Sequence, residues 1–235
     1  MSERVAVVTG ASSGIGAACA ERLLSEGWVV HAWDLRPSPS ERVRSVLVDV
    51  SDPIAVSAAA ESPASLDLLV NAAGISDRAP AAEMRTDQWR RVIDVDLSGT
   101  FYCCQALYPA LRAGRGVIVN VASIVGHRSF AGRINYCAAK AGVVALTEVL
   151  GLEWAADEVR VMAVSPGFVA TDMVREGIKE GWVSEAAITA RTPMRRLATP
   201  EEIAALIVAL AGDAFSYVTG TTIVADGGWL ANGGF

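Results

Sequence analysis

The sequence predicts an α/β fold in which a parallel sheet of about seven strands is covered by helices on both faces. Two observations carry this. Short runs rich in β-branched residues recur at Val5–Val8, Trp28–Trp33, Ser45–Val48, Leu66–Val70, Gly116–Val121, Arg160–Val164 and Thr222–Ala225. Several are apolar throughout, as strands buried on both faces are, and helix-length stretches with apolar residues three and four apart lie between most of them. A third observation sets the scale: 235 residues, 52% hydrophobic and 20% charged, can bury one sizeable core, and no linker, repeat or low-complexity segment divides them. Residues 1–235 are therefore expected to form a single domain.

The first strand runs into Thr9-Gly10-Ala11-Ser12-Ser13-Gly14-Ile15-Gly16 and then the helical stretch Ala17–Ser25. Gly10, Gly14 and Gly16 let the backbone turn tightly and approach a diphosphate, whose charge is stabilised by the free amides at the helix start. The second strand ends at Asp34, 18 residues beyond Gly16. A carboxylate there accepts hydrogen bonds from both ribose hydroxyls of NAD and repels the extra phosphate of NADP, so NAD is the expected cofactor. Arg36 could still pair with that phosphate, which keeps NADP as the second choice. The return from Asp34 to Ser45 is too short for an ordinary parallel crossover, and Pro37 and Pro39 disfavour a helix within it. The connection between strands 2 and 3 is expected to keep one helical turn or none.

Charge and composition narrow the partners. With 26 acids against 20 bases the net charge is -6, which offers no basic footprint to nucleic acid or an anionic membrane. The longest uncharged run, Val5 to Ala20, is broken by Gly and Ser and falls short of the roughly 18 to 20 apolar residues of a membrane span. No signal-peptide pattern is readable, and a cytoplasmic protein is expected. Cys19, Cys103, Cys104 and Cys137 show no metal-ligand spacing and read as buried small hydrophobes. Only His31 and His127 are present, so proton transfer is expected to fall to another residue type. His31, within the second strand, reads as a packed core histidine.

Tyr136 and Lys140 stand four apart in a stretch of helical composition, which puts both on one face. A phenol titrates near 10, and an adjacent ammonium favours the phenolate, moving it toward a useful range.

The set Thr9–Gly16, Asn71-Ala72-Ala73-Gly74, Ser123, Tyr136 with Lys140, and Pro166-Gly167, in this order over essentially the whole chain, resembles the classical short-chain dehydrogenases/reductases. The resemblance implies a Rossmann-type doubly wound sheet and a role for each matching position. Tyr136 would exchange a proton with the substrate oxygen. Lys140 would lower the Tyr136 pKa and hold the nicotinamide ribose, and Ser123 would orient the substrate oxygen. Leu35, Asp49 and Val50 would border the adenosine, Asn71, Ala72, Ala73 and Gly74 would pack beside it, and Pro166–Thr171, with Val169 and Thr171, would cover the nicotinamide. One position departs from the pattern, since the family usually has Asn where this chain has Asp96. Three readings stand: its main-chain carbonyl keeps the family's water relay to Lys140, its charge contacts Lys140 and alters the Tyr136 pKa, or it is paired elsewhere.

The resemblance also places a mobile substrate lid at about 171–199, read as two short amphipathic helices with Gly177 and Gly181 between them. Met173, Ile178 and Trp182 would form an apolar wall, and Val125, His127 and Phe168 complete the expected substrate contacts. Met194–Ile203 looks like the matching stretch of 3-oxoacyl-carrier-protein reductases, but Thr199 before Pro200 and two glutamates is also a plain helix start. The end Val224–Leu230 resembles a tetramer-forming segment, implying a homotetramer built partly from helices starting near Thr86 and Tyr136. The expected function is NAD(H)-dependent hydride transfer to or from a small alcohol or ketone. The alternatives are a 3-oxoacyl-thioester reductase using NADPH or NADH, and a non-catalytic dinucleotide-binding regulator.

Overall fold

The computed structural model describes residues 3–233. Its core is a seven-stranded sheet in the order β3-β2-β1-β4-β5-β6-β7, with every neighbouring pair parallel. The strands are β1 Val5–Thr9, β2 Val29–Asp34, β3 Arg44–Leu47, β4 Leu68–Asn71, β5 Val117–Val121, β6 Arg160–Pro166 and β7 Thr221–Ala225. The helices are α1 Gly14–Ser25, α2 Pro53–Ala59, α3 Thr86–Ile93, α4 Gly99–Gly114, α5 Ile134–Glu153, α6 Asp172–Lys179, α7 Glu185–Arg191 and α8 Pro200–Leu210. The chain winds outward from β1 to β3, then crosses to β4 beside β1 and winds the other way. β1 and β4 stay paired to Thr9 and Asn71, and the connections that follow them part to leave a crevice at the carboxyl edge of the sheet, where such folds bind ligands.

Alternate residues of each strand feed two cores. Ala6, Val8, Val30, Val70, Val119 and Val164 pack under α1 and α8, against Leu23, Ile203 and Ile207. Val7, Trp33, Leu69, Ile118 and Val161 face the other way, onto Cys103, Leu107 and Leu111 of α4 and Leu150 of α5. The four thiols are buried and free, and burial alone pushes Cys19 to about 12. His31 is buried in β2 with its pKa lowered, first by burial and then by Arg44, as a packed neutral imidazole requires.

No helix joins β2 to β3, as the two prolines demand, and β3 is an exposed edge. β4 begins at Leu68 rather than Leu66, because the Leu66 amide donates to the Ala110 carbonyl at 3.0 Å and is held out of the ladder. The start of α8 forms a capping box: Thr199 Oγ1 accepts from the Glu202 amide at 3.3 Å and Glu202 Oε2 from the Thr199 amide at 2.9 Å. The two short helices α6 and α7 occur as expected, but Gly177 lies inside α6 and only Gly181, at φ +74°, turns the chain between them. Among the described residues no helix is long and apolar enough to cross a membrane.

Helix α3 does not stop where α4 begins. A π-helical stretch, Asp94–Ser98, joins them, and Thr100 Oγ1 donates to the Asp96 carbonyl at 2.9 Å within it. The wider turn displaces Asp96 toward the sheet, which fully buries it.

Candidate functional site

A cleft of about 300 Å³ runs along the crevice, from Gly10–Ile15 and Asp34–Arg36 at one end to Ser123, Tyr136 and Lys140 at the other. Two glycines shape its floor. A Cβ on Gly10, at φ +67°, would stand 2.8 Å from the Ala73 Cα, and one on Gly16 would stand 2.2 Å from the Gly10 carbonyl oxygen. The loop thus folds flat against the end of β4, where Thr9 Oγ1 accepts from the amides of Ala72 and Ala73, both at 3.1 Å. A side chain at either glycine would collide with backbone and force the loop out of this shape, which leaves its amides free to face a diphosphate.

Asp34 closes the outer end. Its Oδ2 accepts from the Ser12 amide at 3.0 Å and its Oδ1 from the Arg36 amide at 3.1 Å. Each oxygen retains a lone pair for a ribose hydroxyl. The Arg36 guanidinium reaches back to Ser12 Oγ at 3.4 Å, beside the same rim.

At the inner end Ser123 starts the single turn Ile124–Gly126, its Oγ accepting from the Val125 amide at 3.3 Å. Helix α5 presents Tyr136 and Lys140 together, with Lys140 Nζ 5.7 Å from the Tyr136 ring centre. Lys140 Nζ donates to the Val121 carbonyl at 2.9 Å and pairs with Asp96 Oδ2 at 3.3 Å, while Asp96 Oδ1 accepts from the Ile75 amide at 2.8 Å. Of the three readings of Asp96, the structure displays the charge contact with Lys140, and the main-chain carbonyl on which the relay reading rests lies in the π-helical stretch. The Asp96 carboxylate is not paired elsewhere. It lies behind the cleft wall, where a Cβ on Gly74 would touch it at 3.0 Å.

Burial raises the Asp96 pKa, against the pull of Lys140. Burial also opposes the Lys140 charge, but Asp96 and Tyr136 together outweigh it and hold the ammonium above its ordinary value. Tyr136 differs from expectation, because its pKa lies above the ordinary phenol. Burial is the largest cause, and the Asp96 charge pushes the same way, against Lys140, Arg133 and a hydrogen bond with Ser123. The adjacent ammonium does favour the phenolate, but it is partly spent on its buried counter-ion.

The cleft brings together the greater part of the residues singled out in the sequence: Ser12, Ser13, Leu35, Asp49, Val50, Ala72, Ala73, Gly74, Pro166, Gly167, Val169, Thr171 and Met173 all line it. Asn71 lies beneath. Its Nδ2 donates to Asn120 Oδ1 at 2.9 Å, and Asn120 Nδ2 donates to Thr147 Oγ1 at 3.0 Å, a buried chain from β4 through β5 to α5. Five expected substrate residues do not line the cleft, Ile178 of α6 among them. His127 shares a 2.8 Å hydrogen bond between its Nε2 and Ser165 Oγ, and Val125 packs in a small core with Phe168 and Trp229. Phe168 lies 6.2 Å from the Trp229 ring. Trp182 is half exposed, with the Arg78 guanidinium 4.9 Å over its ring. Asn120, Thr147, Arg78 and Arg133 escaped the sequence reading. Only Arg133, three residues before Tyr136, carried a signal that could have exposed it.

A doubly wound parallel sheet with a glycine-shaped cradle at its switch point defines a nucleotide-binding α/β protein. The family model described as Enoyl-(Acyl carrier protein) reductase matches residues 10–230. The cis-4-hydroxycyclohexanecarboxylate dehydrogenase of Sinomonas cyclohexanicum is 43% identical, with 97% of each chain covered. Among solved structures, the ligand-free aldohexose dehydrogenase of Thermoplasma acidophilum is 30% identical with a TM-score of 0.94, covering 99% of this chain and 96% of that one. An NADP-bound structure from Beutenbergia cavernae is 36% identical with a TM-score of 0.92 and 98% of each chain covered. The chain belongs to the classical short-chain dehydrogenase/reductase family, oxidoreductases that act on alcohols and ketones with a nicotinamide cofactor.

Proposed function

We propose that the protein is an NAD(H)-dependent oxidoreductase of small secondary alcohols and ketones, with Tyr136 as acid and base. One observation carries this reading: a single cleft has the Asp34 carboxylate, with a lone pair left on each oxygen, at one end and Ser123, Tyr136 and Lys140 at the other. The nicotinamide supplies or takes the hydride when bound. Gly10–Gly16 and the start of α1 would hold its diphosphate, and Asp34 its adenosine ribose. At the inner end Tyr136 Oη gives a proton to the ketone oxygen in reduction and removes it from the alcohol in oxidation. Ser123 Oγ donates a hydrogen bond to the same oxygen and fixes its approach, and Lys140 Nζ stabilises the phenolate form. Asp96 acts through Lys140 as a positioning residue. It holds the ammonium in place against Val121 and keeps it charged, while its own charge holds the phenol pKa up.

A raised phenol pKa confines oxidation, which needs the phenolate, to alkaline pH; the oxidative direction draws instead on the 43% identical relative, which is named for a hydroxy-acid dehydrogenase. A second reading, reduction of a 3-oxoacyl thioester with NADPH or NADH, draws on the acyl-carrier-protein description of the matching family model and on Arg36 beside the ribose rim. The lid α6–α7 closes over substrate. The protein works as a cytoplasmic homotetramer, a reading supported by the exposed Phe101 on α4 and by Val149 and Leu152 on α5. Steady-state rates with NAD and NADP over secondary alcohols, diols, hydroxysteroids and 3-oxoacyl thioesters test this. Faster oxidation of an alcohol with NAD is expected. Preference for a thioester with NADPH would select the second reading, and cofactor binding without turnover would indicate a regulator. A light-scattering mass equal to the monomer would contradict the tetramer.

A further inference from the structure

We infer that Arg78 and Arg133 form an anion subsite beside Tyr136, so that the substrate is an alcohol or ketone carrying its own carboxylate. The subsite rests on the proposed oxidoreductase reading for its place beside the reacting carbon. Both arginines belong to loops tied together where the Ala79 amide donates to the Gly132 carbonyl at 3.2 Å. Arg133 stands three residues before Tyr136, which lines the inner end of the cleft. The Arg133 Cζ is 6.0 Å from the Tyr136 ring centre. The Arg78 guanidinium reaches the lid, donating from Nη1 to the Trp182 carbonyl at 3.4 Å, with Nη2 4.0 Å from where a Cβ on Gly177 would be.

Neither guanidinium has an acidic partner among the described residues, although both side chains are partly buried. Arg78 Nη2 is buried with no hydrogen-bond acceptor. The carboxylate next in sequence, Asp77, is turned away. Its Oδ1 takes the Arg78 amide at 2.7 Å and Gln88 Nε2 at 3.1 Å, and its Oδ2 faces Arg91 at 4.0 Å. Guanidinium groups this desolvated are ordinarily paired, and their planar donor fork matches a carboxylate. The position also selects the anion's source. A group held on Arg133, whose Cζ is 6.0 Å from the Tyr136 ring centre, lies within one small ring or short chain of that residue, whereas the phosphate of a pantetheine thioester lies many bonds from its carbonyl.

The test is calorimetric titration of the NAD-loaded protein with cyclohexanecarboxylate and with its neutral counterpart cyclohexanecarboxamide. The carboxylate should bind about tenfold or more tightly, the scale of charge-assisted hydrogen bonds. Arg78→Met and Arg133→Met should each erase most of that preference while leaving amide binding and Tm near wild type. Equal binding of the two ligands to the wild-type protein, a comparison that needs no variant, would overturn the subsite, as would a preference that survives in both variants. Turnover separates the two ideas. With 4-oxocyclohexanecarboxylate and cyclohexanone, a carboxylate preference in kcat/KM that both variants lose supports the subsite, and turnover of both ketones without preference overturns it alone. Preferential carboxylate binding with no turnover of either ketone, with NADH or NADPH, supports the subsite and overturns the oxidoreductase reading.

Discussion

Asp96→Asn isolates the buried charge behind Lys140 with almost no change of shape. Asn can keep an oxygen on the Ile75 amide, so the π-helical turn should survive, but the negative charge 3.3 Å from Lys140 Nζ is gone. That leg and the 5.7 Å from Nζ to the Tyr136 ring centre place the carboxylate within about 9 Å of the ring, where an effective dielectric of about 20 gives roughly 1.8 kcal/mol or more. At about 1.4 kcal/mol per pK unit, the Tyr136 pKa should fall by roughly one unit. The sign follows from the charge: an anion holds the phenol protonated, so removing it moves the titration to lower pH. The assay is the pH dependence of kcat for alcohol oxidation, in which the phenolate is the active form. Its acidic limb should move to lower pH by about one unit, while reduction should lose activity at a correspondingly lower pH. A superimposable profile would refute the electrostatic role. A shift to higher pH would show that Lys140 loses its proton without Asp96, refuting the claim that the ammonium stays charged.

Asp34→Ser removes the carboxylate that would repel a 2′-phosphate and leaves Arg36 beside it; the NADP-to-NAD ratio of kcat/KM should rise about tenfold or more, and an unchanged ratio would contradict the role of Asp34. Thr147→Val leaves Asn120 Nδ2 without its acceptor inside the sheet–helix junction, and should cost about 1 to 3 kcal/mol by denaturant melting. Glu202 is held at about 2, chiefly by hydrogen bonds from Arg196. Its contribution is present above the ordinary carboxylate value and is lost as pH falls toward 2. Acid titration of Glu202→Gln should therefore lose part of the stability change in that window. Gly16→Ala drives a methyl to 2.2 Å from the Gly10 carbonyl oxygen, and NADH binding by fluorescence should be lost.

The sheet was legible because each buried strand spells itself out. A run such as Leu68–Val70 is apolar on both faces, and the glycine turn after β1 fixes which end of the sheet holds the cleft. Pro37 and Pro39 announced the missing crossover helix for the same local reason. The Gly10–Asp34 end of the cleft was readable for that reason too, since spacing along β1, α1 and β2 determines it. The substrate side was not. Val125, His127 and Phe168 are close in sequence to cleft residues, yet they turn into Ser165 and the Trp229 cluster, contacts made across distant segments. The loops that carry Arg78 and Arg133 are joined only by a hydrogen bond between segments far apart in sequence, at Ala79 and Gly132. Asp96 stood out by its position, but its contact with Lys140 depends on a π-helical turn that no periodicity of 3.6 announces.

Replacing Tyr136 by Phe tests the central claim most directly, with kcat for alcohol oxidation and the Kd for NADH measured on the same preparation. Removing the phenolic oxygen should reduce kcat by about 100-fold to 10,000-fold, the range for loss of a general acid–base group, and leave the Kd within about twofold. Retention of kcat within about tenfold of wild type, with NADH still bound, would contradict proton exchange at Tyr136 and the mechanism built on it.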